Sequence, residues 1–422
     1  MTFGKIRKDE LVAAIMMVAF WFGVVFYGLI EHRLGFSYTD EICAIVLLLA
    51  FGYFNVLAKR KIRTNTLIII AVLLFYFFYS VCIDSNCLVA IFSDMFVIAK
   101  PFIACFSIWE MQPHLPKKVL SIFRFSAKAF SIYAILVASF GINAINLLIG
   151  HPAQLASAAI AASLIYLLSV NLSKKTLIVH SLMLSVSLLS LRSKAVGECI
   201  IDMAFIWVLY NSFVRKNFRI RWYHYAGCSI VLAIILVAVR TKISVYFIDG
   251  LSDLTNIREA RSALYVTSIR IAQDYFPFGS GYASFASWFS GVYYSKLYVK
   301  YGLTGVWGLS KDWYDFVSDT FYPQILSQFG IVGLIISFAS IYTLLRKSFA
   351  AYFKSERTLE KAKYLYIVFC IATYILIESV ADSSFVGNRG LFMMMILGVA
   401  LTELFRVDNT SSTSNRDVVD EQ

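Results

Sequence analysis

Several charged side chains lie at the ends of long apolar stretches, where an ionisable group is costly to bury. Arg192 and Lys194 end one stretch, and Glu198 and Asp202 open the next. Because Glu198 and Asp202 are four residues apart, they share one face of a helix. A later group repeats the pattern: Glu378, Asp382 and Arg389. Arginine binds phosphate through paired hydrogen bonds and carboxylates can take up protons, so these residue types indicate chemistry on a substrate with a negatively charged head.

The composition shows which elements must position these groups. The chain of 422 residues is 59% hydrophobic and 15% charged, with a mean hydropathy of +0.72. A soluble domain averages about 45–50% apolar residues, so one water-facing core cannot hide this surplus and the solvent must be lipid. The apolar residues form separate blocks of roughly 17–23 residues, the length of a helix that crosses a bilayer. The sequence therefore predicts an all-α, polytopic transmembrane helical bundle.

The apolar blocks predict about twelve spans. They lie near 11–30, 41–58, 65–83, 88–109, 126–148, 153–171, 176–191, 197–214, 223–240, 321–345, 363–380 and 389–405. The connections on the N-terminal side of the membrane hold 22 of the 38 Lys and Arg residues, against four in the short loops on the other side. This asymmetry predicts a bacterial inner-membrane protein with both termini in the cytoplasm. Because the basic residues lie in loops beside the spans, the net charge of +12 indicates the lipid bilayer as the partner and excludes nucleic acid.

Four regions follow from this map. Residues 1–240 carry spans one to nine, and residues 321–405 carry spans ten to twelve. Between them, residues 241–320 form a large periplasmic loop, and long loops in compact proteins are usually functional. Residues 406–422 are rich in Ser, Thr and Asp and predict a disordered cytoplasmic tail.

The periplasmic loop combines a predicted amphipathic helix over 256–275 with many aromatic rings after it. Five arginines belong to the predicted outer side: Arg192, Arg258, Arg261, Arg270 and Arg389. They could bind a lipid-linked pyrophosphate while the rings pack on its sugars. Two alternatives stay open: the arginines and rings could be interfacial anchors, and the acidic residues could be their ion-pair partners.

Other kinds of site are not indicated. The sequence has no phosphate-binding P-loop, no nucleophile elbow and no HExxH motif, and its five histidines are dispersed, so neither a cofactor nor a metal is predicted. Cys82 and Cys87 share a predicted outer loop, where they would form either a disulfide or two free thiols.

Three blocks resemble the O-antigen ligase and O-antigen polymerase superfamily of bacterial polysaccharide assembly. Leu189–Ala195 is similar to its short arginine block, 261–285 to its block of an arginine, a helix and a Pro-x-x-Gly-x-Gly turn, and 318–333 to its block that opens the next span. Order and spacing match over about residues 185–345.

The resemblance implies glycosyl transfer from an undecaprenyl-pyrophosphate-linked oligosaccharide, without a nucleotide sugar or an essential metal. By position, Arg192 and Arg261 would hold the pyrophosphate, and Asp319 stands where the ligases have a catalytic histidine. It implies these substrate-binding residues: Arg258, Arg270, Lys194, Gly279, Gly281, Tyr322 and Arg389.

The missing histidine favours a polymerase that extends lipid-linked repeat units, with a chain-length regulator as a further candidate partner. The alternatives are a ligase that transfers glycan to lipid A core, and a flippase or other transporter of lipid-linked oligosaccharide.

Overall fold

The computed structural model describes residues 7–214, 259–354 and 358–406, and these residues form helices and connections without a strand. The long helices are α1 (Lys8–Val18), α2 (Tyr27–Leu34), α3 (Thr39–Phe51), α4 (Thr64–Cys82), α5 (Leu88–Met111), α6 (Lys117–Ser139), α7 (Ile142–Leu148), α8 (Pro152–Leu168), α9 (Lys174–Ser185), α10 (Ser193–Val214), α11 (Ala260–Asp274), α14 (Phe321–Lys354), α15 (Leu359–Glu378) and α16 (Asn388–Leu404). Two short helices, α12 (Trp288–Val292) and α13 (Lys296–Lys300), lie between α11 and α14. The all-helical prediction is confirmed for the described part of the chain.

Several helices can span a membrane. Six helical segments of the described residues are long and apolar enough, from α3 with its extension to Val56, α4, α5, α6, α10 and α14. The pair α7 and α8, bent by 72° at its break, would be a seventh. The count of twelve spans therefore stays a prediction, and the predicted span 223–240 lies outside the described residues.

The outer helices confirm lipid as the solvent. On α4 only Thr66, Tyr76 and Ser80 are buried, while most of its leucine, isoleucine and phenylalanine side chains point outward. An apolar surface of this size would be a severe liability in water. The protein is accordingly a membrane protein.

The centre of the bundle is formed by α8 and α16, in which nearly every side chain is buried. Alanine and serine predominate in the first half of α8, and small residues allow helices to approach closely in a membrane. On α16, a Cβ added at Gly398 would lie 2.6 Å from the carbonyl oxygen of Cys105 on α5. Helices α16 and α5 therefore approach each other backbone to backbone at this contact.

Two predicted boundaries differ from the structure. The predicted span 126–148 is interrupted, because α6 ends at Ser139 and Gly141, with φ +90°, turns the chain into the short α7. The predicted loop helix over 256–275 is present as α11, although Ile269, taken as part of its apolar face, is exposed.

The described part of the predicted periplasmic loop, residues 259–320, has a hydrophobic core of its own. Phe285 and Tyr298 are fully buried in it, together with Leu264 and Ile271 of α11. Tyr282 is fully buried against the main bundle instead. Many of the rings that could have formed a sugar-binding surface thus hold this unit together.

Candidate functional site

Arg261 and Asp319 form an ion pair. Arg261 lies in the first turn of α11, and Asp319 lies just before α14, the helix on which α11 packs. Nε of Arg261 donates to Oδ2 of Asp319 at 3.2 Å, and Nη2 lies 3.1 Å from the same oxygen. The described residues donate no hydrogen bond to Oδ1 of Asp319, so that oxygen is available for a substrate group.

The pKa of Asp319 lies above its ordinary value. Partial burial raises the pKa, the neighbouring Arg261 lowers it, and burial has the larger effect. Asp382 and Lys194 also act on this carboxylate, so the ion pair lies close to the charged residues of other helices. A carboxylate with a raised pKa holds a proton more readily, which suits a general base.

Arg192 and Lys194 follow a tight turn that ends the helical segment after α9. Leu191 has a left-handed conformation, with φ +53°, and ends the 3₁₀ turn Val186–Ser190. Nζ of Lys194 lies 2.6 Å from Oε2 of Glu378, the last residue of α15. Nη2 of Arg192 lies 2.8 Å from Nε2 of His151, the residue that caps α8.

Arg389 is held from both sides at the start of α16. Its Nη2 donates to both carboxylate oxygens of Asp382, each at 3.1 Å, and its Nη1 lies 3.3 Å from the hydroxyl of Ser157 on α8. Burial alone would raise the pKa of Asp382, but Arg389 and Lys194 lower it below the ordinary value. Asp382 is therefore a firmly ionised partner of Arg389.

His151 was not predicted as a site residue. Arg192, Arg389, Lys194 and Asp382 are all near enough to act on its charge, so it lies within the cluster that they form. The only signal in the sequence was its place between Gly150 and Pro152, two residues that break helices, and this signal does not single out a ligand-binding histidine.

These contacts define a charged cluster made by Arg192, Lys194, Arg261, Arg389, His151, Asp319, Glu378 and Asp382. Three of its four cations have a carboxylate partner, and Arg192 has none among the described residues, so the cluster carries one positive charge in excess. The alternative prediction, that the acidic residues are ion-pair partners of the arginines, agrees with the contacts of Asp319 and Asp382, whereas Glu378 pairs with Lys194.

Two further carboxylates lie beneath the cluster on α10. Glu198 and Asp202 are fully buried, on one face of the helix. Neither oxygen of Glu198 has a hydrogen-bond partner in the described part of the chain, whereas Oδ1 of Asp202 accepts from the hydroxyl of Thr373 at 2.9 Å. Glu378 and Lys194 of the cluster act on Glu198, so these acids extend the cluster into the bundle.

A line of polar side chains continues inward from Asp202. Cys370 contacts this carboxylate and Tyr366. The hydroxyl of Tyr366 lies 2.8 Å from Nε2 of His180, and Nδ1 of His180 lies 3.1 Å from the carbonyl oxygen of Ser163. Because a carbonyl can only accept, Nδ1 donates, and in the neutral form of His180 Nε2 then accepts from the tyrosine hydroxyl.

The remaining predicted site residues lie elsewhere or outside the description. Arg258 is outside the described residues, and Arg270 is exposed on α11 without a polar contact to the charged cluster. Gly279 and Gly281 pack against α14 and α4: a Cβ on Gly279 would lie 2.4 Å from the backbone nitrogen of Gly330, the kink of α14. The hydroxyl of Tyr322 donates to the carbonyl oxygen of Leu376 at 2.9 Å.

The glycines therefore have a structural role that the sequence did not indicate. Gly279 has φ +79° and Gly330 has φ +63°, and both conformations are ones that glycine adopts most easily. The backbone N–H groups of Ser280 and Gly281 donate at 2.8 Å to the carbonyl oxygens of Ser327 and Gln328. The loop thus docks onto the bundle through its main chain, which positions Asp319 and α11.

No group of three His, Cys, Asp or Glu side chains that could hold a metal ion occurs among the described residues. Cys82 and Cys87 are both exposed and free, so the disulfide alternative is wrong in this structure. In sequence comparisons, no protein-family model and no curated protein matches the chain.

Proposed function

We propose that the protein is a bacterial inner-membrane glycosyltransferase that extends lipid-linked glycan, a polymerase of the O-antigen or exopolysaccharide type. The observation that carries this proposal is the charged cluster, which brings together an oriented carboxylate and an arginine that has no carboxylate partner among the described residues, next to the loop unit of residues 259–320. The donor would be an undecaprenyl-pyrophosphate-linked oligosaccharide, and the acceptor a second lipid-linked repeat unit. The cluster would face the periplasm.

The proposed chemistry needs two kinds of group, and the cluster supplies both. Arg192 would bind the pyrophosphate with its remaining N–H groups, and Lys194 and Arg389 would add positive charge as the leaving group departs. Oδ1 of Asp319 would accept the proton of the attacking sugar hydroxyl, while Arg261 holds Oδ2. The bond from the anomeric carbon to the pyrophosphate oxygen breaks as the new glycosidic bond forms.

The charge balance favours an anionic substrate. Arg261, Lys194 and Arg389 are already neutralised by carboxylates. A neutral substrate would therefore not need the additional positive charge of the Arg192 guanidinium. A pyrophosphate diester carries two negative charges and could compete for these cations as it binds. Arginine rather than lysine at position 192 fits this role, because its planar fork matches phosphate oxygens in pairs.

The first test replaces Arg192 and Arg261 by alanine in cells that depend on this protein for their surface glycan. We expect single repeats instead of long chains in both variants, at normal protein level. Arg33→Ala is the matched control, because Arg33 is exposed at the end of α2 and does not belong to the charged cluster. Normal chain-length distributions in both cluster variants would overturn the proposal.

A transporter of lipid-linked oligosaccharide is the second candidate, favoured by one observation. Buried titratable side chains run from Glu198 through Asp202 and Tyr366 to His180, and such lines occur in proton-coupled carriers. Purified protein that moves a labelled lipid-linked oligosaccharide across liposomes without extending it would establish this function instead.

A further inference from the structure

A charged cavity lies at the end of the bundle opposite the charged cluster. It has a volume of about 680 Å³ and is formed by the connection from α3 to α4, the end of α5, a late part of α14 and the end of α16. Arg389 of the charged cluster and Phe405 of this cavity lie at opposite ends of α16, so roughly 24 Å separates the two sites at 1.5 Å per residue. The cavity is therefore distinct from the charged cluster.

The cavity is strongly basic. Arg60, Lys61, Arg63 and Lys347 line it, against a single carboxylate from Glu110. That carboxylate is already used, because it accepts from the backbone N–H and guanidinium of Arg63 at 2.9 and 3.1 Å and from the hydroxyl of Thr66 at 2.6 Å.

The other three cations of the cavity have no carboxylate partner. Arg60, Lys61 and Lys347 are exposed, and none of them forms an ion pair with a described residue. The ammonium group of Lys347 reaches only the amide oxygen of Asn65, at 3.4 Å. The surplus of positive charge favours an anionic occupant.

Two of the residues that line the cavity each have a buried polar atom without a hydrogen-bond partner among the described residues. These atoms are Nε1 of Trp109, whose side chain is held under the Arg63 guanidinium at 4.8 Å, and Oδ1 of Asn55. Trp109 is 9% exposed and Asn55 is 1% exposed, so neither atom is readily satisfied by bulk water. The orientation of the Asn55 amide is set by its Nδ2, which donates to the carbonyl oxygen of Glu110 at 3.0 Å.

The unpartnered atoms specify the occupant further. The indole N–H can only donate, so it needs an acceptor such as a phosphate oxygen, whereas Oδ1 of Asn55 can only accept, so it needs a donor such as a hydroxyl. An inorganic anion without a hydroxyl, such as sulfate, would satisfy the cations and the indole but not the amide. A phosphate ester with a hydroxyl on a neighbouring carbon would satisfy all of them.

We propose that this cavity binds a hydroxyl-bearing phosphate ester. The ester could be the headgroup of an anionic lipid, such as phosphatidylglycerol, or a soluble polyol phosphate such as glycerol phosphate. The two sources share the same chemistry, and the experiment below distinguishes them. This site does not depend on the proposed glycosyl transfer, because none of its residues belongs to the charged cluster.

The test measures binding to the full-length protein, purified in a neutral detergent, by native mass spectrometry and by the shift of the thermal unfolding temperature. The probes are phosphatidylglycerol, phosphatidylcholine, phosphatidylethanol and glycerol 3-phosphate. We expect phosphatidylglycerol or glycerol 3-phosphate to bind at least roughly tenfold more tightly than phosphatidylcholine. Phosphatidylethanol, which has the phosphodiester but no hydroxyl, should bind more weakly than phosphatidylglycerol.

Variants separate a built site from general attraction to a basic surface. The double variant R60Q/K347Q removes two exposed cations of the cavity, and K117Q/K118Q removes two exposed lysines at the start of α6, outside the cavity. We expect the first to weaken binding at least roughly tenfold and the second to leave it unchanged. Trp109→Phe keeps the ring and removes the N–H, and should weaken binding severalfold.

Both positive outcomes identify a source. Binding of phosphatidylglycerol alone assigns the site to a lipid headgroup, and binding of glycerol 3-phosphate with similar affinity assigns it to a soluble ester. The proposal is overturned if the parent protein shows no preference over phosphatidylcholine and no binding of glycerol 3-phosphate. It is also overturned if R60Q/K347Q and K117Q/K118Q lose equal affinity, because the effect would then be general surface charge.

Discussion

The ion pair between Arg261 and Asp319 provides a quantitative prediction that separates a catalytic carboxylate from a mere counter-ion. The perturbations are Asp319→Asn, Arg261→Gln and the double variant. Since Nε and Nη2 of Arg261 both contact Oδ2 of Asp319, the asparagine variant keeps the shape of the group and removes its ability to take a proton at Oδ1. General acid–base catalysis contributes about 10²–10⁴-fold, so we expect Asp319→Asn to lower the rate of glycan extension at least about 100-fold.

The two substitutions should change the free energy of unfolding only slightly, and by different amounts. At 3.1 Å, an effective dielectric constant of about 20 gives a gross attraction of roughly 5 kcal/mol. The two side chains are 27% and 33% exposed, so desolvation and solvent screening reduce the net coupling to about 1 kcal/mol. Arg261→Gln leaves a half-buried carboxylate without its cation and should lower the free energy of unfolding by about that amount.

The direction of the pKa shift of Asp319 predicts that Asp319→Asn, unlike Arg261→Gln, does not lower the free energy of unfolding. Its pKa is raised in the folded protein, chiefly by burial, so the folded state binds this proton more tightly than the unfolded chain does. The ionised carboxylate therefore costs stability above its folded pKa, and that cost disappears as the pH falls through this pKa. At neutral pH, Asp319→Asn should be as stable as the parent or slightly more stable.

The assay combines initial rates of repeat-unit extension in lipid nanodiscs with denaturant unfolding of the same preparations. The parent rate should fall as the pH drops through the raised pKa of Asp319, above its ordinary value of 3.8, and the asparagine variant should lack this dependence. A parental rate in a normally folded Asp319→Asn protein would refute the role of this carboxylate. Loss of stability in Asp319→Asn as large as in Arg261→Gln would refute the account of the ion pair.

Three further predictions concern other parts of the molecule. Arg192→Lys keeps the charge but not the fork, so we expect kcat/KM to fall roughly tenfold, and an unchanged value would show that a point charge suffices. Gly279→Ala places a Cβ 2.4 Å from the backbone of Gly330 and should lower the thermal unfolding temperature by several degrees. Gly305→Ala, with no atom within 4 Å of its Cβ, should leave that temperature unchanged. Equal shifts in the two variants would contradict the docking of the loop. Cys82 and Cys87 should react with an impermeant maleimide in intact cells without prior reduction, and labelling only after reduction would show a disulfide.

The helical membrane architecture could be predicted because it depends on local sequence. Apolar blocks of this length have few stable alternatives in a bilayer, since every backbone polar group must be satisfied within a helix. The structure has helices at the predicted positions such as 65–83 and 88–109, as α4 and α5. The break at Gly141 was missed, because a single glycine inside an apolar block does not by itself separate a bend from a straight span.

The charged cluster could be predicted only in part. Arg192, Lys194 and Arg389 stood out because ionisable residues beside apolar blocks are costly. Their partners depend on how distant helices pack: His151 is 41 residues from Arg192, and Glu378 is 184 residues from Lys194. No local pattern encodes these contacts.

In the loop, residues that were predicted to bind substrate pack against other parts of the protein instead. Gly279 and Gly281 resemble a substrate-binding turn in the sequence, but their closest neighbours are Gly330 of α14 and Ser80 of α4. Likewise, Phe285 and Tyr298 fill the core of the loop unit. Glycine and aromatic residues serve packing and binding equally well, so their spacing alone cannot distinguish the two roles.

The sequence also could not show whether Lys100 has a structural or a substrate-binding role. This lysine is buried in α5 and forms ion pairs with Asp40 and Glu41 at the start of α3. Lys100 is a charge inside the predicted span 88–109, and the sequence gave no sign of its partners, because they lie about 60 residues away. The pair explains how this cation is tolerated without any role in binding substrate.

The central claim is that the charged cluster transfers glycan from a lipid pyrophosphate. The most direct measurement is incubation of the purified protein in nanodiscs with a single lipid-linked repeat unit, followed by electrophoresis of the products beside an Arg192→Ala control. We expect a ladder of products that differ by one repeat, and no ladder with Arg192→Ala. Parent protein that yields no ladder but moves the same lipid-linked oligosaccharide across liposomes would contradict it.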